Sequence, residues 1–540
     1  MATTIPFQNV PHSSSLFLDY LYHFDRVASF YESAPYLPSS YSTVASGLAA
    51  VDWKREELCA ILWRQNQAFG SSDSTFENVA RLRHSGTFAV VTGQQVGLFG
   101  GPAFTISKAL TAVRLATHLT EQGLPAVPIF WLATEDHDLA EVAGAGTFDA
   151  DYNLLVLADR GDSPGPRSPV GNVRLTPESV QALDLLENSL PPGPPRDALL
   201  RDLRETYTPG STWAQAFARF MARLLGRWGV ILLDPLDPAV HQLTSGIYAQ
   251  ALERAPDLRA QLLARSQALT KSGYHAQVKV SDDSTLVFLT REGNRFPIHQ
   301  QDGACFLEDT EKVPLEDWRS ELAANPLAFS PNVLLRPLVQ DLLLPTLAQV
   351  AGPSELAYLA QAQVLYPAFN RRQPVLFPRA AFTLLDARVE RWLDKYHLSV
   401  EDIWRGDEHL QRKIAALALS EGWAERFDQT QQEMAALFAR LHGDIERLDP
   451  TLLEVLKHAQ EKTIYQMDRL RGKVNRAALA RSELLVRHAQ SLSRFLMPQK
   501  DLQERRLAGV YFLGRAGYEL LERLRAQIEL ESPGHQVLNL

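Results

Sequence analysis

The chain is poor in cysteine, in long apolar runs and in surplus positive charge. Only Cys59 and Cys305 occur among its 540 residues, and neither lies in the spacing of a metal site. This argues against a disulfide framework and suits a reducing cytosol. No stretch reaches the roughly 18–20 apolar residues of a membrane span, and the N-terminal residues show no signal-peptide pattern. We therefore expect a cytoplasmic protein without a membrane partner.

The formal net charge of −9 is opposite in sign to that of a general nucleic-acid binder. This argues against a general nucleic-acid binder but leaves room for a local basic pocket that binds phosphates. Hydrophobic residues make up 45% of the chain, which is ordinary for a globular protein and sufficient for a large core. The length predicts two or more domains.

The first part of the chain alternates between apolar strands and helices. Residues 88–91 form a short apolar run, residues 106–119 have helical apolar spacing, and residues 127–132 form a second apolar run. Strand, turn, helix and strand in this order predict a βαβ unit of a parallel sheet. Further candidates for strands of this sheet are residues 230–233, 333–335 and 375–377.

Two later regions have a different composition. Residues 151–195 are rich in proline, glycine and aspartate, which predicts a loop excursion. Residues 276–280, 285–289 and 295–299 are short segments separated by turn residues, which predicts a β-meander in a small insertion.

Residues 400–497 change to a helical pattern. Apolar residues in steps of three and four run from Phe427 to Leu448 and from Leu456 to Ala477, with Pro450 between the runs. This predicts two long helices joined by a tight turn, an antiparallel coiled-coil hairpin. Adjacent leucine pairs widen the apolar stripe, so either the rest of the chain or a second subunit should cover it. We expect a homodimer.

The first segment that could carry chemistry is the glycine-rich turn at residues 92–102, TGQQVGLFGGP. It follows a strand and precedes a helix, so free N–H groups and the helix dipole suit an anion. Lys108 could add a positive charge. The spacing is neither a dinucleotide fingerprint nor a P-loop, and a tight connection without a ligand is the alternative. The residues expected to contact a ligand are Gly93, Gln94, Gln95, Gly97, Gly100 and Gly101.

The second segment runs from Trp131 to Asp138, WLATEDHD. Glu135, Asp136, His137 and Asp138 crowd the end of an apolar strand, where packing gives no reason for four ionisable groups. Charges this close shift one another's pKa values and can poise a general base. Asp136 and Asp138 could also hold Mg²⁺. The alternative is a solvated loop whose acids cap the next helix.

Consecutive parallel strands end at the same edge of a sheet, so the two segments should lie together. Asp234, at the end of the third strand candidate, could join them or could simply cap a turn. Arg336 lies among apolar residues, so its guanidinium needs an anionic partner, either in a site or in a structural ion pair. Glu355 and Tyr358 share a helix face. Other expected ligand contacts are Trp131, Asn332 and Gln340.

These stretches resemble the bacillithiol-biosynthesis cysteine ligases, the BshC family. In family order over nearly the whole chain, the resembling segments are TGQQVGLFGGP with Lys108, VPIFWLATEDHDLAEV, GVILLDPLDP, GYHAQV, FSPNVLLRPLVQDLLLPT, GPSELAYLAQ and LQERRL. Gly100, Phe104 and Ser107 stand where family members often carry a threonine and two tyrosines, so no hydroxyl role is carried over to them.

The resemblance implies an α/β fold with a Rossmann-like parallel-sheet core, a small β-rich insertion and a long antiparallel coiled-coil domain used for dimerisation. We assign residues 1–265 to the N-terminal helices and core, and residues 266–328 to the insertion. Residues 329–395 return to the core, residues 396–500 form the coiled coil, and residues 501–540 pack on the core.

The resemblance also implies the last step of bacillithiol synthesis, in which L-cysteine is joined to glucosaminyl malate through an amide bond. The cysteine carboxylate needs activation, most simply by ATP, as an acyl-adenylate or an acyl-phosphate. Glu135 or His137 would take the amine proton. Asp136 and Asp138 would bind Mg²⁺ or sugar hydroxyls, and Arg336 would bind the malyl carboxylates or the nucleotide.

Two other classes remain open. One is a nucleotidyl-transferring enzyme of the tRNA-synthetase type, in which the coiled coil grips RNA; the acidic balance argues against it. The other is a non-catalytic coiled-coil scaffold, against which the ionisable residues at 135–138 argue.

Overall fold

The computed structural model describes residues 3–308, 311–418, 422–480 and 482–540. The strands are β1 (Thr3–Ile5), β2 (Phe88–Gln94), β3 (Ala126–Leu132), β4 (Gly144–Phe148), β5 (Leu154–Ala158), β6 (Ile231–Leu233), β7 (Ser284–Arg291), β8 (Asn294–Gln301), β9 (Ala304–Phe306), β10 (Val313–Pro314), β11 (Phe329–Pro331), β12 (Thr346–Ala351), β13 (Val375–Pro378), β14 (Ala381–Leu385) and β15 (His535–Asn539).

The α-helices are α1 (Ser15–Tyr22), α2 (Pro38–Ala49), α3 (Arg55–Phe69), α4 (Asp73–Leu82), α5 (Phe104–Glu121), α6 (Leu139–Val142), α7 (Glu178–Ser189), α8 (Pro194–Thr206), α9 (Trp213–Leu225), α10 (Pro238–Glu253), α11 (Ala255–Lys271), α12 (Leu315–Ala324), α13 (Arg336–Leu343), α14 (Pro353–Ala362), α15 (Ala387–Lys395), α16 (Val400–Trp404), α17 (Asp407–Ala418), α18 (Trp423–Leu448), α19 (Leu453–Ala480), α20 (Glu483–Leu496), α21 (Gln503–Arg506), α22 (Gly509–Ala516) and α23 (Glu519–Gln527).

The central sheet has five strands in the order β13-β12-β2-β3-β6, and every neighbouring pair is parallel. β3 is buried along its whole length, which explains its uninterrupted apolar sequence. α5 connects β2 to β3 and packs on both strands. The predicted βαβ unit is confirmed, as are the strand candidates at residues 230–233 and 375–377, which form β6 and β13.

The strand predicted at residues 333–335 was wrong. Asn332 Oδ1 accepts hydrogen bonds from the N–H groups of Leu334 and Leu335, at 3.0 and 2.9 Å, and this turn leads into α13. The strand that does return to the sheet is β12, which lies at its centre. Thr346 and Gln349 interrupt the apolar pattern of β12, and this hid it in the sequence.

The β-rich insertion is an antiparallel sheet in the order β10-β9-β8-β7-β11. Two of the three predicted strands correspond to β7 and β8. Residues 276–280 are not a strand, because one side chain takes the place of a strand partner. Val278 N–H donates to Gln361 Oε1 at 2.8 Å, and the Val278 carbonyl accepts from Gln361 Nε2 at 2.9 Å.

Residues 151–195 contain more regular structure than the predicted loop. β4 and β5 form an antiparallel hairpin, and α7 packs against it. The prediction was wrong because the proline- and glycine-rich stretch at residues 160–171 lies between β5 and α7 and interrupts neither element.

The predicted coiled-coil hairpin is confirmed. α18 and α19 run antiparallel, and Pro450 lies in the turn between them. Gln431 donates to Asp468 at 2.9 Å across the pair, and Arg471 to Asp428 at 2.8 Å. Residues 419–421 and 481 of the predicted helical region lie outside the described residues.

A third sheet joins distant parts of the sequence. β15 pairs antiparallel with β1 and parallel with β14, so residues near both ends of the chain meet beside the core. Among the residues that the structure describes, no helix is both long and apolar enough to cross a membrane.

Candidate active site

A cavity of about 510 Å³ opens at the carboxyl edge of the central sheet, where β2, β3 and β12 end. We call it the sheet-edge cavity. Residues of the β-rich insertion and of the turn before α13 close its other side. The sequence-predicted residues that line it are Gly93, Gln94, Gln95, Lys108, Trp131, Glu135, Asp136, His137, Asn332, Arg336, Glu355 and Tyr358.

Lys108 is buried in the wall of this cavity. Its Nζ donates to the Gly93 carbonyl and to Gln94 Oε1, 3.2 Å away, and lies 2.7 Å from Glu355 Oε2. Burial lowers the pKa of Lys108, and the Glu355 carboxylate opposes that shift. An ammonium group has three donors, and these contacts engage them. Lys108 therefore holds the end of β2 against the start of α14. It is not the free phosphate-binding cation of the prediction.

The second half of the glycine-rich turn is a packing element. Gly97, Gly100 and Gly101 do not line the sheet-edge cavity. The Gly100 N–H donates to the Tyr207 hydroxyl at 2.9 Å, and φ is +86° at Gly100 and +72° at Gly101. Residues 507–509 cover the start of α5 through hydrogen bonds such as Ala103 N–H to the Leu507 carbonyl. The three glycines predicted to cradle an anion are therefore packing positions outside the sheet-edge cavity.

Substitution of Gly97 by alanine is expected to destabilise the fold. A Cβ there would lie 2.7 Å from the Gly101 Cα, although φ is an ordinary −72°. Overpacking of this kind costs about 1–3 kcal/mol. Chemical denaturation should therefore show a lower midpoint than for Gly86→Ala, because a Cβ at Gly86 meets nothing within 4 Å. Equal midpoints for the two variants would contradict the packing role.

Glu135 is a buried carboxyl group in the cavity wall, with 8% of its surface exposed. Its Oε1 lies 3.6 Å from Nε2 of His241, a buried residue of α10. Burial raises the pKa of Glu135, and the charges of His241, Arg295 and Arg336 partly offset that shift. The group can therefore exchange a proton closer to neutral pH than an exposed glutamate does.

Asp136 and His137 face each other and the insertion. Asp136 accepts hydrogen bonds from Gln95 Nε2 and from the His137 N–H, both at 2.7 Å. His137 Nδ1 lies 3.4 Å from Arg295 Nη1. Burial and the Arg295 charge lower the pKa of His137, so the imidazole is neutral at neutral pH. Since a guanidinium only donates, Nδ1 is the acceptor and Nε2 carries the proton.

Two predicted acids lie outside the site. Asp138 is exposed, caps α6 by accepting the Glu141 N–H at 3.1 Å, and does not line the sheet-edge cavity. Asp234 accepts from the Thr134 hydroxyl at 2.5 Å and from the Leu236 N–H at 3.1 Å, and burial raises its pKa to about 6. Asp234 therefore fixes the turn after β6.

Asp136 and Asp138, the two acids considered for Mg²⁺, lie in different surroundings. Asp136 is hydrogen-bonded to Gln95, and Asp138 is engaged at the start of α6. Within the described ranges, no group of three or more His, Cys, Asp or Glu side chains could hold a metal ion.

Arg336 is the predicted cation that does face the cavity. Its guanidinium carbon lies 5.9 Å from the centre of the Trp131 ring, and Nη1 donates to Gln340 Oε1 at 3.0 Å. Burial works to lower the pKa of Arg336, but Tyr358 and Glu355 outweigh it and raise the pKa. Gln340 is buried outside the cavity, so it positions Arg336 and does not contact a ligand.

Sequence reasoning missed three further arginines in the cavity wall, Arg295, Arg379 and Arg505, and the buried His241. Arg295, from β8 of the insertion, donates to the Ser330 hydroxyl at 2.8 Å and stacks over the Phe288 ring at 4.0 Å. Arg379, after β13, forms a buried ion pair with Glu504 at 2.6 Å. Arg295 and Arg379 lie outside the quoted motifs, and the tertiary fold brings them to the site.

Two family models agree with this architecture. Residues 1–380 match the family model described as Bacillithiol biosynthesis BshC, N-terminal Rossmann-like domain. Residues 382–540 match the model for the C-terminal coiled-coil domain of the same family. One similar solved structure is described as a "putative arginyl tRNA synthetase" from Campylobacter jejuni. The match spans 83% of this chain and 94% of that chain, with 11% sequence identity and a TM-score of 0.21.

Relatives match over their full length. A Koribacter versatilis protein named "Putative cysteine ligase BshC" is 37% identical and covers 99% of both chains. A Solibacter usitatus protein of the same name is 36% identical, again over 99% of both chains. The chain belongs to the bacillithiol biosynthesis BshC family.

Proposed function

We propose that this chain is a ligase that joins L-cysteine to glucosaminyl malate through an amide bond, with ATP as co-substrate. The observation that carries the proposal is the composition of the sheet-edge cavity. It combines four arginines for anionic substrates with a buried carboxyl group of raised pKa and a neutral imidazole. Membership of the family and the names of its relatives support the same reaction.

ATP is part of the proposal because amide formation from a free carboxylate is unfavourable in water. ATP would supply the activation of the cysteine carboxylate. Arg295 and Arg336 suit its phosphates, since a guanidinium has five N–H donors and each side chain uses only some of them in the contacts described above. The glycine turn is not part of this proposal, because its second half is packed against Tyr207.

We assign to Glu135 the role of general base, which takes a proton from the attacking amine. The sugar nitrogen forms a bond to the activated carbonyl carbon, the activating group leaves with its electron pair, and the carboxylate takes the amine proton. His137 carries its proton on Nε2 when Arg295 faces Nδ1, so it suits hydrogen-bond donation to the developing negative charge on the carbonyl oxygen. Asp136 holds the backbone of His137 in place.

Incubation of purified protein with L-cysteine, glucosaminyl malate and ATP tests the proposal. Mass spectrometry should detect the cysteinyl amide. One molecule of ADP or AMP should form for each molecule of amide. Omission of ATP should abolish the product. A folded protein that binds these compounds but forms no amide would refute the ligase assignment.

The coiled-coil arm is expected to form a homodimer. Its α18 and α19 expose large apolar side chains in the single chain, among them Leu437, Leu441, Leu448, Val455 and Leu470. Exposed stripes of this kind mark interaction surfaces. Sedimentation equilibrium should show a dimer.

The combined change Leu437→Glu and Met467→Lys should release monomers from that dimer. Val156→Glu is the matched control, because Val156 is 58% exposed and Leu437 is 56% exposed. Val156 lies on β5 away from the arm, so this change should leave the dimer intact. A wild-type monomer at tens of micromolar would contradict the expected assembly.

A further inference from the structure

A second cavity, of about 470 Å³, lies beside the sheet-edge cavity. We call it the N-terminal cavity, because residues 7–17 form one of its walls. The opposite wall comes from residues 499–506, and the start of α14 lies between the two. Buried apolar side chains, among them Phe7, Val10, Phe17 and Ala357, line its floor. A volume of this size suits a small molecule.

Cationic side chains surround the N-terminal cavity. They come from four separate parts of the chain and are His12, His275, Arg379, Lys500, Arg505 and Arg506. With histidine neutral, four cations face two carboxylates, Asp501 and Glu504, which leaves a local charge of 4 − 2 = +2. This is opposite in sign to the net charge of −9 on the whole chain. The cavity therefore favours an anionic ligand.

Both carboxylates of the N-terminal cavity are already engaged. Glu504 forms the buried ion pair with Arg379 at 2.6 Å. Asp501 lies 3.5 Å from Arg505 Nε and 3.3 Å from Arg506 Nε. They therefore orient these arginines, whose remaining donors can face a ligand.

The backbone around this cavity is strained. His12, Gln499 and Lys500 have φ values of +64°, +53° and +64°, a region that non-glycine residues rarely adopt. A His12 Nε2 hydrogen bond to the Lys500 carbonyl, 3.0 Å long, joins the two strained segments across the cavity. Strain of this kind is concentrated at ligand-binding sites.

The two cavities are neighbours. Pro353, Ser354, Arg379 and Arg505 line both of them, so one molecule can reach from one cavity into the other. A ligase for two substrates needs such an arrangement, since one substrate must be held apart while its reactive group meets the other.

We propose that the N-terminal cavity binds a small polycarboxylate. On the proposed function, on which this assignment rests, the polycarboxylate is the malyl end of glucosaminyl malate, and the sugar amine extends into the sheet-edge cavity. The spread of the cations favours carboxylates over phosphate: the charges come from two separate chain segments, Arg379 and residues 500–506, which suits two separated carboxylates better than one compact phosphate.

Isothermal titration calorimetry on the full chain at low ionic strength tests this inference with three probes: glucosaminyl malate, L-malate and inorganic phosphate. Lys500→Gln and Arg506→Gln should each weaken binding of the first two probes by about tenfold. Lys54→Gln is the matched control, because Lys54 is a 70% exposed lysine away from both cavities, and it should bind like the wild type. Melting curves identify any variant that has lost its fold.

The outcomes separate the two proposals. Weaker binding in the Lys500 and Arg506 variants supports the site even if the wild type forms no amide, in which case only the proposed reaction fails. Unchanged binding in both folded variants, with loss in Arg336→Ala, would place the anion in the sheet-edge cavity and overturn the inference. Wild-type binding of phosphate but not of L-malate or glucosaminyl malate would overturn it as well.

Discussion

Replacement of Glu135 by glutamine is expected to lower kcat by about 10²–10⁴, the range that a positioned general base contributes. The side chain keeps its size and its place in the wall of the sheet-edge cavity but can no longer accept a proton. Steady-state rates of amide formation measure the effect. Asp138→Asn is the matched control three residues away, since asparagine can also cap α6, and it should keep nearly wild-type rates.

The pH dependence gives an independent readout of Glu135. Burial raises its pKa, so the acid limb of the kcat/KM profile should lie above the ordinary glutamate pKa of about 4.3. Activity should rise with pH through that limb, because only the carboxylate accepts the proton. The Glu135→Gln variant should lose this limb.

The Glu135→Gln change should lower activity without lowering the stability of the fold. When a carboxyl pKa is higher in the folded than in the unfolded state, ionisation above the unfolded pKa destabilises the fold. A neutral glutamine should therefore not lower the melting temperature at pH 7. Wild-type turnover in Glu135→Gln would show that another group takes the proton; a strongly lowered melting temperature would show a structural role.

Local sequence predicted much of the site because topology brings strand ends together. Gly93 after β2, Trp131 and Glu135 after β3, and Glu355 after β12 all meet at one edge of the parallel sheet. For Gly93, Trp131 and Glu135 this followed from two apolar runs and one helix. β12 itself was not recognised, so the position of Glu355 did not follow from them. A central parallel strand is buried on both faces, so its position depends on its neighbours more than on a pattern of its own.

Other parts of the site could not be predicted from sequence. Glycine gives the same signal whether its missing Cβ admits a ligand or a packed neighbour, and at Gly97 the neighbour is Gly101. An aspartate after a strand gives the same signal as a catalytic acid, as a helix cap or as a turn residue. Asp138 caps α6, and Asp234 fixes the turn after β6. Arg295 reaches His137 from a sheet more than a hundred residues away, without any local motif.

Arg336→Met is expected to lower kcat/KM about a hundredfold, equivalent to about 2.7 kcal/mol, because the cavity loses a guanidinium that can make two charge-assisted hydrogen bonds. Methionine keeps the apolar contact with Trp131, so the fold should persist. Arg227→Met is the matched control: Arg227 also stacks on a tryptophan, Trp228, at 4.6 Å, but does not line the sheet-edge cavity, and its loss should leave kcat/KM unchanged.

Gln340 distinguishes ligand binding by Arg336 from a structural role. Gln340 accepts from Arg336 at 3.0 Å and donates to Asp341 at 2.9 Å, and it is buried away from the cavity. Gln340→Leu should leave the Arg336 charge in place but less well oriented, with a loss in kcat/KM of about tenfold. Addition of Gln340→Leu to Arg336→Met should then cost little more, because both changes act through one guanidinium. Fully additive losses in the double variant would show that Gln340 acts independently of Arg336, and an Arg336→Met enzyme with wild-type kcat/KM would remove Arg336 from the site.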